Sequence, residues 1–132
     1  MSLVAVNTLA VLLAAIASFA VGALWYGVLG KPWMRAARLT PDMTKPRPSL
    51  FVITFLCELV MALILALLIG HFEAATFGDV LAAAFFLWLG FVATTIVVNT
   101  RYQGFGWDLP LIDGGHWLLV LLVQAAVLGA FR

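Results

Sequence analysis

Four long apolar stretches run along the chain, separated by short polar segments. They cover residues 3–29, 50–70, 80–99 and 112–131. Each stretch has the roughly 20 residues that an α-helix needs to cross about 30 Å of hydrocarbon. Their apolar positions are continuous rather than alternating, which favours helices over strands. We therefore predict an all-α fold, a bundle of four transmembrane helices that forms a single domain over residues 1–132.

The composition changes this picture little, but it excludes an ordinary soluble domain. Of the 132 residues, 65% are hydrophobic and 10% are charged, and the mean hydropathy is +1.15. A soluble domain has about 45–50% apolar and about 25% charged residues. The net charge of +1 provides no strongly basic surface, so we expect no nucleic-acid partner.

The first stretch is interpreted as a membrane helix rather than as a cleavable signal peptide. No Lys or Arg precedes Lys31, and the apolar run reaches Leu29, which is longer than the apolar region of a signal peptide. The single cysteine, Cys57, has no second cysteine with which to form an intramolecular disulfide. It therefore does not indicate the redox compartment.

The loops differ in their basic residues, and this difference predicts an orientation. Five of the seven Lys and Arg residues lie in the first loop, namely Lys31, Arg35, Arg38, Lys45 and Arg47. The third loop holds Arg101, and the opposite side holds only Arg132. Because Lys and Arg are enriched in cytoplasmic loops, we expect loops one and three in the cytoplasm and both termini outside. Residues 33–39 of loop one also predict a short interfacial helix.

Small residues recur at spacing four on several of the predicted helices. The rows are Ala14, Ser18 and Gly22 on the first helix, Ala62, Ala66 and Gly70 on the second, and Ala125 with Gly129 on the fourth. Lipid does not push apolar helices together, so small residues mark places where backbones approach. The spacing is compatible both with a tightly packed bundle and with contacts in a homo-oligomer.

Three polar residues are predicted to share a layer near the middle of the membrane: Ser18, Glu58 and Gln124. At about 1.5 Å per residue, each lies roughly 14–18 Å from the cytoplasmic end of its helix. A charge at that depth costs at least about 2.5–3.5 kcal/mol. Glu58 is either a carboxylate that binds a proton or cation, or a neutral acid that ties its helix to Ser18 or Gln124 or contacts another copy. We favour the second interpretation, because no other intramembrane charge accompanies it.

A second polar cluster is predicted near the cytoplasmic end, and it comprises Tyr26, Asn99, Asp113 and His116. Asp113 and His116 are three residues apart, within contact range on a helix. They belong either to a ligand or metal site, or to a simple cap in which Asp113 opens the fourth helix and His116 lies at the interface. We favour the cap, because no third convincing metal ligand lies at that level, and we predict no metal and no cofactor.

Three segments together resemble one known family. They read GALWYG and GKPWMR within residues 22–35, LWLGFVATT in residues 87–95, and LIDGGHWL in residues 111–118. The chain resembles, over nearly its whole length, the domain-of-unknown-function family 1761, a group of small bacterial four-helix membrane proteins. The resemblance implies a bacterial cytoplasmic-membrane location and a four-span plan, and it implies no activity. It also implies that Glu58 and His116 are departures from the family's usual small residue and Tyr.

The sequence favours a small structural or accessory subunit, surrounded by membrane lipid and packed as a homo-oligomer or with other membrane proteins. Small-residue rows and the lack of a catalytic motif support this interpretation. One alternative is a small proton- or cation-coupled transporter or channel that uses Glu58. The other is a membrane-embedded enzyme that uses Asp113 and His116. We rank the enzyme last and expect none, because neither a nucleophile nor a metal set completes it.

Overall fold

The chain folds into four helices that are long and apolar enough to cross a membrane. A computed structural model describes residues 5–132, so the start of the first apolar stretch, at residues 3 and 4, lies outside the described residues. The helices are α1 (Thr8–Ala36), α2 (Pro48–His71), α3 (Phe77–Tyr102) and α4 (Asp108–Ala130). A short 3-10 helix, Pro41–Thr44, lies in the first loop, and residues 5–132 contain no strand. The predicted all-α fold with four spanning helices is confirmed.

Side-chain caps begin two of these helices. At the start of α1, the side chain of Asn7 accepts a hydrogen bond from the N–H of Ala10 at 3.1 Å. Before α3, Thr76 and Asp79 exchange side-chain and backbone hydrogen bonds of 2.8 and 3.1 Å. Such a capping box satisfies N–H groups that have no partner within the helix. The polar residues in front of the apolar stretches therefore fix where these helices start.

Left-handed residues end the first three helices. Arg38 follows α1 with φ 57°, Glu73 follows α2 with φ 50°, and Gly104 follows α3 with φ 82°. In each case the next residue's N–H bonds to a carbonyl five positions earlier, as in the Schellman motif. The chain thus turns sharply at each end with its backbone groups satisfied.

Helix α1 is longer than the apolar pattern predicts. The prediction of a separate interfacial helix over residues 33–39 is wrong, because α1 continues through Pro32 to Ala36. Proline has no backbone N–H group. Pro32 therefore removes one backbone hydrogen bond from the last turns of α1. Across this point the rings of Tyr26 and Trp33, seven residues apart on one face, stack edge to face at 5.4 Å. This aromatic contact supports the continued helix.

The four helices are arranged around a central pair. Helices α1 and α4 make the most extensive contact, α2 packs mainly on α1, and α3 packs mainly on α4. Small side chains between the helices are fully buried, among them Ala14, Ala62, Ala84 and Ala125. Close approach of the backbones supplies the van der Waals contacts that stabilise helices in lipid.

Two tryptophans attach α4 to its neighbours. The indole N–H of Trp25 on α1 donates to the carbonyl of Ile112 at 3.0 Å, and that of Trp88 on α3 donates to the carbonyl of Gly114 at 2.8 Å. Gly115 makes the first of these contacts possible. A Cβ atom at Gly115 would lie 2.8 Å from Cζ2 of Trp25.

The first and third loops meet at one end of the bundle. The guanidinium of Arg38 donates to the carbonyl of Gly104 at 2.8 Å and lies 5.1 Å from the centre of the Phe105 ring. A cation over an aromatic ring contributes about 0.5–1 kcal/mol at an exposed site. Most of the basic residues therefore lie at this end of the bundle, in the first loop or in the adjoining turns of α1 and α3.

We expect Gly115→Ala to destabilise the protein by about 1–3 kcal/mol, because the new methyl group would displace a tryptophan ring that a hydrogen bond holds in place. Gly114→Ala is the matched control. A Cβ atom there meets no atom within 4 Å among the described residues, and alanine favours a helix by about 0.5–1 kcal/mol. Thermal unfolding in detergent micelles measures both. Equal stability of the two variants would contradict this account of the packing.

Candidate functional site

The predicted polar layer is present in the middle of the bundle. Ser18 on α1, Glu58 on α2 and Gln124 on α4 are exposed by 0%, 1% and 0%. The side-chain amide of Gln124 donates to Oγ of Ser18 at 3.1 Å and to the backbone carbonyl of Glu58 at 2.9 Å. The Ser18 hydroxyl in turn donates to the carbonyl of Ala15 at 3.1 Å. One amide group therefore joins three helices.

The carboxyl group of Glu58 takes no part in this network. Both of its oxygens are buried, and neither has a hydrogen-bond partner within residues 5–132. The bond to Gln124 is made by the backbone carbonyl of Glu58 instead. The interpretation of Glu58 as an acid that ties its helix to Ser18 or Gln124 therefore lacks its bond in this structure. Its carboxyl group is therefore a buried polar group without a partner within residues 5–132.

The second predicted cluster assembles three of its four members. The hydroxyl of Tyr26 on α1 donates to Oδ1 of Asp113 on α4 at 2.7 Å. The Tyr26 ring lies 4.7 Å from the imidazole of His116, which in turn lies 4.6 Å from the ring of Trp117. Tyr26 thus contacts both predicted polar residues of α4.

The interpretation of Asp113 as a helix cap is wrong. Helix α4 begins at Asp108, five residues earlier, and the Asp108 carboxylate accepts the N–H of Leu109 at 3.1 Å. His116 is only 5% exposed, so it lies inside the bundle and not at the interface. The fourth helix starts earlier than the apolar pattern suggests because Asp108 and the following Pro110 suit a first helical turn.

Asn99 does not join the cluster. Asn99 is exposed on α3, and its side chain makes no hydrogen bond in the described part of the chain. Residues Trp88–Ala93 form a π-helical stretch. Such a stretch makes i→i+5 hydrogen bonds and is wider than the α-helix, so it changes which face the following residues occupy. A prediction based on a regular 100° step per residue therefore assigns Asn99 to the wrong face.

Glu58 and His116 line one cleft, which we call the lateral cleft. Its volume is about 480 Å³, and its walls comprise Phe19, Tyr26, Phe51, Trp117, Glu58 and His116. Nδ1 of His116 is buried and has no hydrogen-bond partner among residues 5–132. The exposed residues Ala23 and Phe51 lie on the cleft, so it opens on the outer surface of the bundle between α1 and α2. Nothing in the sequence pattern indicates that these two titratable groups share a cleft.

A glycine on α1 makes room for the imidazole. A Cβ atom at Gly22 would lie 2.6 Å from Nε2 of His116. Gly22 belongs to the row of small residues on α1, so the same row that allows close helix packing also seats a buried titratable side chain. Glycine at a close approach is a recognisable signal, but the sequence does not show which side chain it faces.

The composition of the site limits its chemistry. No group of three His, Cys, Asp or Glu side chains close enough to hold a metal ion occurs within residues 5–132. Thr54, which also lines the lateral cleft, uses its hydroxyl to bond the carbonyl of Leu50 at 2.7 Å. The site therefore offers a carboxyl group and an imidazole in largely aromatic surroundings, which suits proton or ligand binding.

Comparison with known proteins identifies the family. The model of a family described as "protein of unknown function (DUF1761)" matches residues 9–129. The chain belongs to this family. The match includes all four helices of this DUF1761 protein. It assigns no activity to the protein, because the family description states none. No curated protein and no solved structure matches the chain.

We expect Gln124→Met to destabilise the bundle by about 1–2 kcal/mol, because it removes both interhelical hydrogen bonds of the amide without changing the side-chain volume greatly. Ser18→Ala removes only one of these bonds and should cost less, about 0.6 kcal/mol. Unfolding of the two variants in mixed micelles by increasing SDS measures the difference. A larger loss from Ser18→Ala than from Gln124→Met would show that the amide is not the main connection.

Proposed function

We propose that this protein is a small proton-coupled carrier in which Glu58 binds and releases the proton. The observation that carries the proposal is the position of the Glu58 carboxyl group. It is buried in the middle of the bundle, it has no hydrogen-bond partner among the described residues, and it belongs to a residue that lines the lateral cleft. An ionisable residue at such a depth is by default a candidate functional group.

The electrostatics of the site favour a group that alternates between two states. A carboxylate without a partner in hydrocarbon is costly, so Glu58 is stable there either with a proton or with a bound cation. No Lys or Arg lines the lateral cleft in the described residues. The charge of Glu58 is therefore coupled to what the cleft contains, which is the basic requirement for a coupled carrier.

The second cluster supports a path for the proton toward one end of the bundle. At about 1.5 Å per residue, Glu58 lies about 15 Å from the start of α2, His116 about 12 Å from the start of α4, and Asp113 about 8 Å from that same start. Tyr26 contacts both of the α4 residues. These titratable groups lead from the middle of the membrane toward the end where loops one and three meet.

We further propose the orientation and location of the carrier. Six of the seven basic residues lie in or beside loops one and three, which face the cytoplasm, and both termini face outward. The membrane is the bacterial cytoplasmic membrane. On this orientation the path from Glu58 through His116 and Asp113 leads to the cytoplasm.

We expect Glu58→Gln to reduce proton flux to the level of protein-free liposomes, because an amide cannot take up a proton at this position. Glu58→Asp keeps a carboxyl group and should retain part of the flux. The measurement uses purified protein in liposomes that contain a pH-sensitive dye, with a pH gradient and a potassium diffusion potential. Glu73→Gln, which changes an exposed carboxylate after α2, is the matched control and should behave like the wild type.

Wild-type flux in the Glu58→Gln protein would refute this role of Glu58. Circular dichroism and thermal unfolding of each variant verify that it is folded. Since Glu58 makes its interhelical bond through its backbone, the change to Gln leaves that bond in place, and we expect a folded protein.

A second candidate function is that of an oligomeric or accessory subunit, and one observation on α3 favours it. The π-helical stretch Trp88–Ala93 contains no buried residue. A Cβ atom at Gly90 would meet no atom within 4 Å in the described chain. Gly90 and the exposed Thr94 are four residues apart. This is a small-xxx-small pattern of the kind that packs against another helix, and the bundle itself leaves it uncovered.

We expect native mass spectrometry of the gently extracted protein to show a homo-oligomer or a complex with another membrane protein. Gly90→Leu should dissociate it, because a large side chain prevents close approach of the helices. Gly27→Leu is the matched control, since Gly27 on α1 is also exposed and also meets no atom within 4 Å among residues 5–132. A wild-type monomer without partners would remove the basis of this second function.

A further inference from the structure

We propose that the lateral cleft binds a lipophilic amine in its protonated form, and that this cation and the proton compete for Glu58. The inference rests on the proposed role of Glu58 as the proton-binding group, and it adds the chemical class of the second ligand. Four properties of the cleft carry it: the free hydrogen-bonding atoms, the lack of basic side chains, the aromatic walls and the opening toward lipid.

The residues that line the cleft contain buried, unpartnered acceptor atoms, and these favour a ligand that donates hydrogen bonds. Oε1 and Oε2 of Glu58 and Nδ1 of His116 have no partner in the described chain. A carboxylate only accepts, and Nδ1 of a neutral imidazole accepts when Nε2 carries the proton. The two hydroxyl groups on the cleft already donate elsewhere, that of Tyr26 to Asp113 and that of Thr54 to the carbonyl of Leu50. An ammonium group supplies the missing donors.

The surroundings of Glu58 select a cation over a neutral or anionic ligand. Within the described residues no Lys or Arg lines the cleft, so no side chain neutralises the carboxylate there. The rings of Phe19, Tyr26, Phe51 and Trp117 form much of its walls. Cations are attracted to the faces of aromatic rings by about 2 kcal/mol or more where water is excluded. The ionised carboxylate of Glu58 would repel an anion.

The size and the opening of the cleft determine the rest of the ligand. A volume of about 480 Å³ lies within the usual range of about 300–1,000 Å³ for small-molecule sites. Phe51 on its rim is 53% exposed, and it belongs to a helix that is long and apolar enough to cross a membrane. A ligand that reaches the cleft from the bilayer needs an apolar body next to its ammonium group. These requirements together describe a lipophilic amine.

The competition between amine and proton follows from charge balance. When the ammonium ion binds, the Glu58 carboxyl group releases its proton to the solution. The cleft is neutral both when Glu58 carries a proton and when ionised Glu58 binds the ammonium ion. The other titratable groups near the cleft are Tyr26 on α1 and His116 on α4, with Asp113 bonded to Tyr26. A proton on His116 would also repel the amine. The variant His116→Gln therefore separates the two effects, since it should keep the pH dependence that Glu58 causes.

The test measures binding of three matched probes to the intact protein in phosphatidylcholine nanodiscs by equilibrium dialysis. The probes are 4-phenylbutylamine, 4-phenylbutanol and 4-phenylbutyrate, which differ only in the polar group. We expect the amine to bind and the other two not to exceed empty nanodiscs. Glu58→Gln should weaken amine binding by at least about tenfold, because loss of one partner of a buried charge pair costs more than that factor. Glu73→Gln should bind the amine like the wild type.

Three outcomes would overturn the inference: equal binding of the amine and the alcohol, amine binding unchanged by Glu58→Gln, or binding by His116→Gln that is as strong at low pH as at high pH. Glu58-dependent proton flux without amine binding would refute the amine and leave the proton carrier intact. Glu58-dependent amine binding without proton flux would support the amine site and refute the carrier. The two proposals therefore fail separately.

Discussion

The side-chain amide of Gln124 is the polar contact that connects α1, α2 and α4 inside the membrane. In lipid the hydrophobic effect does not press apolar helices together, so a buried hydrogen-bonding group restricts how they rotate against one another. The amide reaches Oγ of Ser18 on α1 and the backbone carbonyl of Glu58 on α2. The amide bonds the backbone of α2, and the carboxyl group of Glu58, a residue that lines the lateral cleft, has no hydrogen-bond partner within residues 5–132.

The sequence predicts the depth of these residues better than it predicts their bonds. Depth follows from the constant rise of a helix, and the layer of Ser18, Glu58 and Gln124 is indeed buried together. Which atoms bond depends on the rotation of each helix about its axis, and rotation is determined by contacts all along the bundle. The apolar stretches carry little information on rotation, because they are hydrophobic on nearly every face. For that reason the apolar pattern does not show that Glu58 bonds Gln124 through its backbone carbonyl.

Local departures from regular helices account for the other differences. The sequence of Trp88–Ala93 has no proline, and nothing in its apolar pattern marks the π-helical stretch that turns Asn99 to the outside. Asp113 looks like a cap because the apolar run starts beside it, yet α4 begins at Asp108. Boundaries between apolar and polar residues locate the membrane, whereas helix ends depend on caps that extend beyond it. The four spans are therefore predictable from hydropathy, while the lateral cleft depends on the ends and turns that hydropathy does not describe.

The site and the uncovered face of α3 lie on different parts of the molecule. The lateral cleft is built by α1, α2 and α4, and no residue of α3 lines it among the described residues. Helix α3 is attached mainly through α4, where the Trp88 indole bonds the carbonyl of Gly114, two residues before His116. A partner helix that packs on Gly90 and Thr94 would therefore leave the opening between α1 and α2 free. It could change the shape of the cleft only through the contacts that α3 makes with α4. Binding in the cleft and assembly through α3 are consequently compatible in one molecule, and the segment of α4 from Gly114 to His116 is where one would influence the other.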